Sequence, residues 1–275
     1  MTVRTERISG ARERDALAFL ARAPYEHVFL SYLLLFDSAP ATRNAIRVAL
    51  DENDIVTGVA YFGRQVVIAG EDAATIAAFA TVANNYRGER MIVGPRKTIQ
   101  RYWELIAAWH PAPRVVRDRQ LVMILDRPML QEYDHSVVAR RARIDEWTSV
   151  ADNSALMIAQ ELAYDPMRSS PEFTSNVRAM IERGLWWVGE SLGRLCFYCN
   201  IGPWSPQTAQ LQGIWTPPDM RGKGLATAAL SAVCDRLLGM TPTLSLYVND
   251  FNTPAIALYE RVGFTVVSEF QTLLF

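Results

Sequence analysis

The sequence predicts an α/β protein, of the α+β type with a mixed sheet, built as two halves. Three observations predict it. The chain has 275 residues, more than one compact core of roughly 100–150 residues needs. Apolar residues recur along it in alternating helix-like and strand-like patterns. The order of elements in the first half (two helices, three strands, helix, strand, helix, strand) repeats in the second without residue identity, which favours divergent duplication.

The elements follow from local chemistry. A 3.6-residue apolar pattern at 11–23 (Leu17, Phe19, Leu20) predicts a helix, and a second covers 26–36. Strands are expected at 45–50, 55–62 and 65–68, joined by the polar turn Asp51-Glu52-Asn53-Asp54 and by Gly63-Arg64. The Ala-rich stretch 72–83 is helical and 91–93 is a short strand. A helix at 98–109 carries Tyr102 and Trp103 and is stopped by Pro111 and Pro113, before a strand at 120–125. The polar segment 126–135, with Pro128, marks a boundary between a first domain at 1–130 and a second at 136–275. Beyond it come a strand at 137–143, helices at 144–163 and 175–183, and strands at 185–189, 194–201 and 209–215. A helix at 224–238, a strand at 244–248, a helix at 253–262 and terminal strands at 264–275 complete the chain.

Composition excludes several classes. Half the residues are hydrophobic, which argues against long disorder. The 28 basic residues are balanced by 29 acidic ones, so no whole-protein electrostatic grip on nucleic acid or an anionic membrane is expected. The longest apolar run, residues 28–36, is interrupted by Ser31 and Tyr32 and falls short of the ~20 residues a membrane span needs. The start, MTVRTERISG, lacks the apolar stretch of a signal peptide. Cys196 and Cys199 lie three apart in a strand-like run and face opposite sides, with no second CxxC. Packed thiols in a reducing cytoplasm are expected, with no metal site.

The informative stretch is LQGIWTPPDMRGKGLATAAL, residues 211–230. A strand ends at Trp215-Thr216, Pro217 and Pro218 stop further ladder pairing, and Arg221-Gly222-Lys223-Gly224-Leu225-Ala226 leads into a helix. Glycines allow close backbone approach and positive φ. The first N–H groups of a helix have no internal partner and carry partial positive charge, so a phosphate or pyrophosphate fits there. Arg221 and Lys223, one of only two lysines in the chain, add formal charge. A Walker loop would need Ser or Thr where Gly224 stands. A dinucleotide fingerprint would need glycines immediately after the strand and a small third residue where Thr227 stands.

The segment resembles the main motif of the GNAT superfamily of acyl-CoA N-acyltransferases, Arg/Gln-x-x-Gly-x-Gly/Ala, which 221–226 matches in full. A second signature agrees with it. Residues 246–264, LYVNDFNTPAIALYERVGF, carry Val248, Asn252, Ala255, Leu258-Tyr259-Glu260 and Gly263-Phe264 in the family's closing pattern. The resemblance covers about 137–275. It implies tandem GNAT-like domains, each a central, mostly antiparallel sheet flanked by helices.

The resemblance also implies roles. The fourth and fifth strands of the second domain would splay apart to admit acetyl-CoA as acyl donor. Backbone groups of Ile214, Trp215 and Thr216 would pair with its pantetheine arm and acyl carbonyl. Amides of Arg221, Gly222, Lys223, Gly224, Leu225 and Ala226 would hold the pyrophosphate, and Asn252 would contact the arm. Tyr259 would be the general acid for the leaving thiolate, and an N–H near Thr216 would stabilise the developing oxyanion. Asn249 would hydrogen-bond the amine acceptor. The fourth strand holds Gln210 and Gln212 but no acid, so the general base is sought at Glu190 or Glu161, or in a water chain. The acceptor, a small-molecule or protein amine, is not legible.

In the first half the corresponding turn is Ile68-Ala69-Gly70-Glu71-Asp72-Ala73. Two acids at its helix start would repel pyrophosphate, so donor binding there is expected to be lost. This half would shape the acceptor site or mediate a homodimer. The competing expectation, favoured by the missing strand-four acid, is a non-catalytic acyl-CoA-binding sensor or scaffold.

Overall fold

The computed structural model describes residues 2–83, 88–133, 137–162 and 165–275. The first half runs β1 (Arg4–Arg7), α1 (Gly10–Leu20), α2 (Val28–Phe36), α3 (Pro40–Ala45), β2 (Ile46–Leu50), β3 (Val56–Phe62), β4 (Gln65–Ala69), α4 (Ala73–Ala83), β5 (Met91–Pro95), α5 (Arg96–Ile106) and β6 (Val115–Asp126). The second runs β7 (Val138–Arg141), α6 (Trp147–Leu162), α7 (Pro166–Ser169), α8 (Phe173–Glu182), β8 (Trp186–Ser191), β9 (Arg194–Trp204), β10 (Thr208–Trp215), α9 (Leu225–Leu237), β11 (Thr243–Asn249), α10 (Thr253–Val262) and β12 (Thr265–Leu274).

Among the described residues all strands join one sheet, in the order β1-β2-β3-β4-β5-β12-β6-β11-β10-β9-β8-β7. The centre of this order is an exchange. Each half supplies five strands in sequence and a sixth after its last helix, and each sixth strand pairs with the fifth strand of the other half. β12 lies antiparallel to β5, from Phe270↔Pro95 to Leu274↔Met91. β6 lies antiparallel to β11, from Thr243↔Asp126 to Asn249↔Gln120. β6 and β12 also pair with each other. Each of these inner strands therefore has both edges covered, which removes the exposed edges that strands otherwise present for aggregation.

Strand alternation distributes the core. In the first half Val48, Val59 and Val67 point to α1 and α2, while Ala49, Ala60 and Val66 point to α4 and α5. In the second, Trp186, Val188 and Tyr198 pack against α6 and α8, and Trp187, Phe197 and Cys199 against α9. Cys196, Cys199 and Cys234 are free and buried.

Most expected elements form at or near their expected places. The sequence reading omits β1, α3 and α7, all short. It also shortens β6, whose first residues, Val115-Val116-Arg117-Asp118-Arg119, lack an apolar alternation because they are paired through charge. Arg119 Nε donates to Glu269 at 2.7 Å and Arg96 Nη2 to Asp118 at 2.6 Å. The expected helix 144–163 begins as a 3-10 turn before α6, and its residue 163 lies outside the described residues, as do residues 134 and 135 of the expected boundary segment.

The exchange predicts that a chain starting at residue 131 cannot assemble a stable second half, because β11 and β12 both lose β6. Circular dichroism and gel filtration are expected to show an unfolded or aggregated product, whereas co-expression with residues 1–130 restores a folded complex.

Candidate functional site

The site begins where β10 and β11 part. They are paired in parallel only at Thr208↔Thr243, Ala209↔Leu244 and Gln210↔Ser245. Beyond this β11 stays on β6 as far as Asn249, and β10 stays on β9 as far as Trp215. A register shift between Gln212 and Trp215 bends β10 further away. Gly213 makes the shift. Its φ of +60° lies in the left-handed region, and a Cβ there would come within 2.6 Å of Asn200 Oδ1.

The resulting cleft has a volume of about 400 Å³. Gly213 and Ile214 of β10, Tyr247 and Asn249 of β11, and Asn252 and Tyr259 of α10 line it. So do Met157 and Glu161 of α6, Arg117 and Gln120 of β6, and Gln65 and Met91 of the first half. The cleft is thus walled by both halves.

Next to it, the turn 221–226 has the geometry of an anion cradle. Gly222 and Gly224 have φ of +73° and +74°. Gly224 is the N-cap of α9. The backbone N–H groups of residues 222–226 make no hydrogen bond among the described residues, which leaves a run of donors at a helix start. The flanking cations fold onto the turn itself. Arg221 Nε donates to the Thr216 carbonyl at 3.0 Å, and its guanidinium lies 4.5 Å from the Trp215 ring centroid. Lys223 Nζ donates to the Asp219 carbonyl at 2.8 Å. Thr216, whose carbonyl is thus engaged, and the buried Trp215 sit between cleft and cradle. Leu225 and Ala226 form the first turn of α9.

Asn252 caps α10, its Oδ1 accepting from Ala255 N at 3.4 Å. Asn249 is buried, and its Oδ1 accepts from Gln120 Nε2 at 3.0 Å, so one side of its amide is already used. Tyr259 is buried among Phe264 and the cleft walls. Burial, reinforced by the negative charge of Glu161, pushes its hydroxyl pKa up, so the proton stays on oxygen through neutral pH.

The two acids proposed as bases part company. The structure does not bring Glu190 to the cleft. It lies on β8, two strands from β10, and its carboxylate is held by Arg140 at 2.8 Å. Glu161, at the end of α6, lies in the cleft wall. Partial burial of its carboxyl, on an otherwise exposed residue, raises its pKa from the ordinary glutamate value, against a smaller lowering by Arg117. The cleft residues of the first half and β6 were not read from the sequence. Gly213 had a signal in LQGIW, since a glycine inside a strand marks a bulge.

Among the described residues, β4 and β5 of the first half do not part in this way. They pair at three positions, then end within two residues. A Cβ on Gly94 would lie 3.1 Å from the Ile68 carbonyl, so the strands stay close, and Thr98 Oγ1 donates across to the Gly70 carbonyl at 2.9 Å. Asp72 is spent on capping Thr75 N of α4 at 2.9 Å.

The second half thus has a sheet opened between two parallel strands, with a bulge in one and a helix-start anion cradle after it. Residues 153–264 match the Acetyltransferase (GNAT) family, so the C-terminal half carries a GNAT domain; residues 48–150 match a domain of unknown function, DUF4081. The chain has the tandem GNAT fold. It is similar over 99% of its length and 98% of the other chain to a tandem GNAT protein from the clavulanic acid biosynthesis pathway (TM-score 0.57, 15% identity). It is likewise similar to a GCN5-related N-acetyltransferase from Sphaerobacter thermophilus, over 98% and 94% of the two chains (TM-score 0.59, 15% identity). A mycothiol acetyltransferase of Acidimicrobium ferrooxidans is 37% identical over 87 residues, 30% of this chain and 28% of that protein. Among the described residues no group of side chains is placed to hold a metal ion and no helix is long and apolar enough to cross a membrane.

The cradle is tested with coenzyme A and calorimetry. Gly224→Ala forces a side chain into left-handed backbone at a cost of about 1–2 kcal/mol and is expected to weaken binding about tenfold. Gly224→Glu, which adds a negative charge, is expected to abolish it.

Proposed function

We propose that the protein is an acetyl-CoA-dependent N-acetyltransferase acting on an amine by direct attack in a ternary complex. The observation that carries this reading is the cleft between β10 and β11, which holds an acid and a tyrosine hydroxyl and opens beside an unspent run of backbone amides. On this reading 136–275 is the donor-binding domain and 1–130 a degenerate GNAT-like domain without a donor site.

Bound acetyl-CoA supplies an acetyl thioester. The residues present fit it: the amides of 222–226 for the pyrophosphate, the diverging inner edges of β10 and β11 for the extended arm, and Asn252 beside it. Glu161 takes a proton from the bound ammonium, directly or through water, which frees the nitrogen lone pair to attack the acyl carbon, and its raised pKa suits it to that exchange. An N–H near Thr216 stabilises the charge developing on the acyl oxygen. Tyr259 keeps its proton at neutral pH and donates it to the departing sulfur.

Calorimetry with acetyl-CoA, followed by free-thiol release in the presence of an amine panel, tests the whole reading. Binding without thiol release across the panel would identify a sensor instead. Glu161→Gln is expected to lower kcat/KM by about 10²-fold or more and to remove the acid limb of the pH profile, where activity falls as the carboxylate protonates.

Tyr259→Phe is expected to lower kcat about tenfold or more with acetyl-CoA affinity kept. An unchanged kcat across pH takes the proton-donor role away from Tyr259.

A further inference from the structure

The acceptor side of the cleft has a charge arrangement that the donor does not use. Arg117 and Glu161 are the only charged side chains lining it among the described residues. They stand at one end of α6, where Arg117 Nη2 donates to the Glu161 backbone carbonyl at 3.3 Å. Their charges are not joined. No carboxylate pairs with the Arg117 guanidinium within 4.0 Å among the described residues. The neighbouring charges of β6 are consumed: Asp118 by Arg96 at 2.6 Å and Arg119 by Glu269 at 2.7 Å.

Arg117 reaches the cleft through a fault in the strand pairing. β6 pairs with β12 at Arg117↔Thr272 and at Gln120↔Phe270. Three steps along β6 therefore match two along β12, and the extra residue is a β-bulge. Without it, positions 117 and 120 would face opposite sides of the sheet. With it, both line the cleft. Gln120 is fixed there from both sides, accepting from Thr272 Oγ1 at 2.5 Å and donating to Asn249 at 3.0 Å. The strand that the first half lends to the second thus delivers a guanidinium to the cleft wall near the base.

A guanidinium that, among the described residues, spends one of its five N–H donors in a protein hydrogen bond recognises carboxylate and phosphate oxygens with the rest. An acid beside it attracts an ammonium. We propose that the acceptor is a zwitterionic amine, with a carboxylate or phosphate a few bonds from the reacting nitrogen, and that Arg117 is the residue that selects it. The nitrogen goes to Glu161 and the anionic group to Arg117. The inference rests on the transferase reading above. It gives the first half a role in choosing the acceptor, through β6.

The test uses the full chain, acetyl-CoA and paired amines. Alanine, leucine and phenylalanine are each compared with their carboxamides, and ethanolamine phosphate with ethanolamine, by free-thiol release. The anionic member of at least one pair is expected to have a kcat/KM tenfold or more above its neutral twin; which pair shows it separates carboxylate from phosphate. Arg117→Gln is expected to bring that pair to parity, mainly through KM, while Arg117→Lys keeps a preference and both variants keep the wild-type affinity for acetyl-CoA. Equal or better use of the neutral twins, a preference that survives Arg117→Gln, or acetyl-CoA binding with no reaction of any anionic amine overturns the proposal. Failure to bind acetyl-CoA would overturn the transferase reading itself. A variant that loses acetyl-CoA affinity as well would show Arg117 to be a support of the fold rather than a selector.

Discussion

The pairing of β11 with β6 is the interaction on which the site depends. A strand can leave its neighbour only if its other edge is secured. β11 is secured over its whole length, by seven consecutive partners on β6. β10 is secured by β9, with a bulge at Gly213 that turns its end outward. The two strands can therefore part after three paired residues without leaving their hydrogen-bonding groups stranded on both sides. The space between them, and the free inner edges that face it, are paid for by bonds made one strand further out. The same logic explains the first half, where β4 and β5 end almost as soon as they have paired.

The donor side of the site was legible in the sequence because it is local. RGKGLA places two glycines, a helix start and a run of amide donors within six residues, and the Tyr259 segment lies on one helix. Such patterns survive in one dimension. Glu161 was visible only as one acid among many, and Glu190 looked equally eligible. What separates them is a partner: Arg140 sits on β7, fifty residues before Glu190. Salt bridges of that span leave no spacing signal.

The exchanged strands were illegible for a related reason. The sequence supports a sixth strand at the end of each half, but nothing in 115–126 says which fifth strand it will join. The apolar residues it buries, Val122, Met123 and Leu125, would suit the middle of any sheet and name no partner. The charged start of β6 also hides its length, because Asp118 and Arg119 find their partners on α5 and β12 rather than along the strand. Arg117 was invisible as a cleft residue because a two-residue alternation sends it to the wrong face until the bulge is known.

The exchange also sets an order of assembly. Gln120 and Thr272, bonded across the middle of the sheet, are 152 residues apart in the chain. Contacts of that separation are made late, since the loop must be closed before they return any free energy. β6 leaves the ribosome long before its partners β11 and β12 exist, and β5 waits as long for β12. Until the last strand is synthesised, the middle of the sheet has open edges at the positions where the finished protein is most tightly knit. The cleft wall that β6 contributes is set only once β6 has joined β11, after most of both halves has been synthesised. A nascent chain cannot possess the site before it possesses β11, the strand that β6 holds in place.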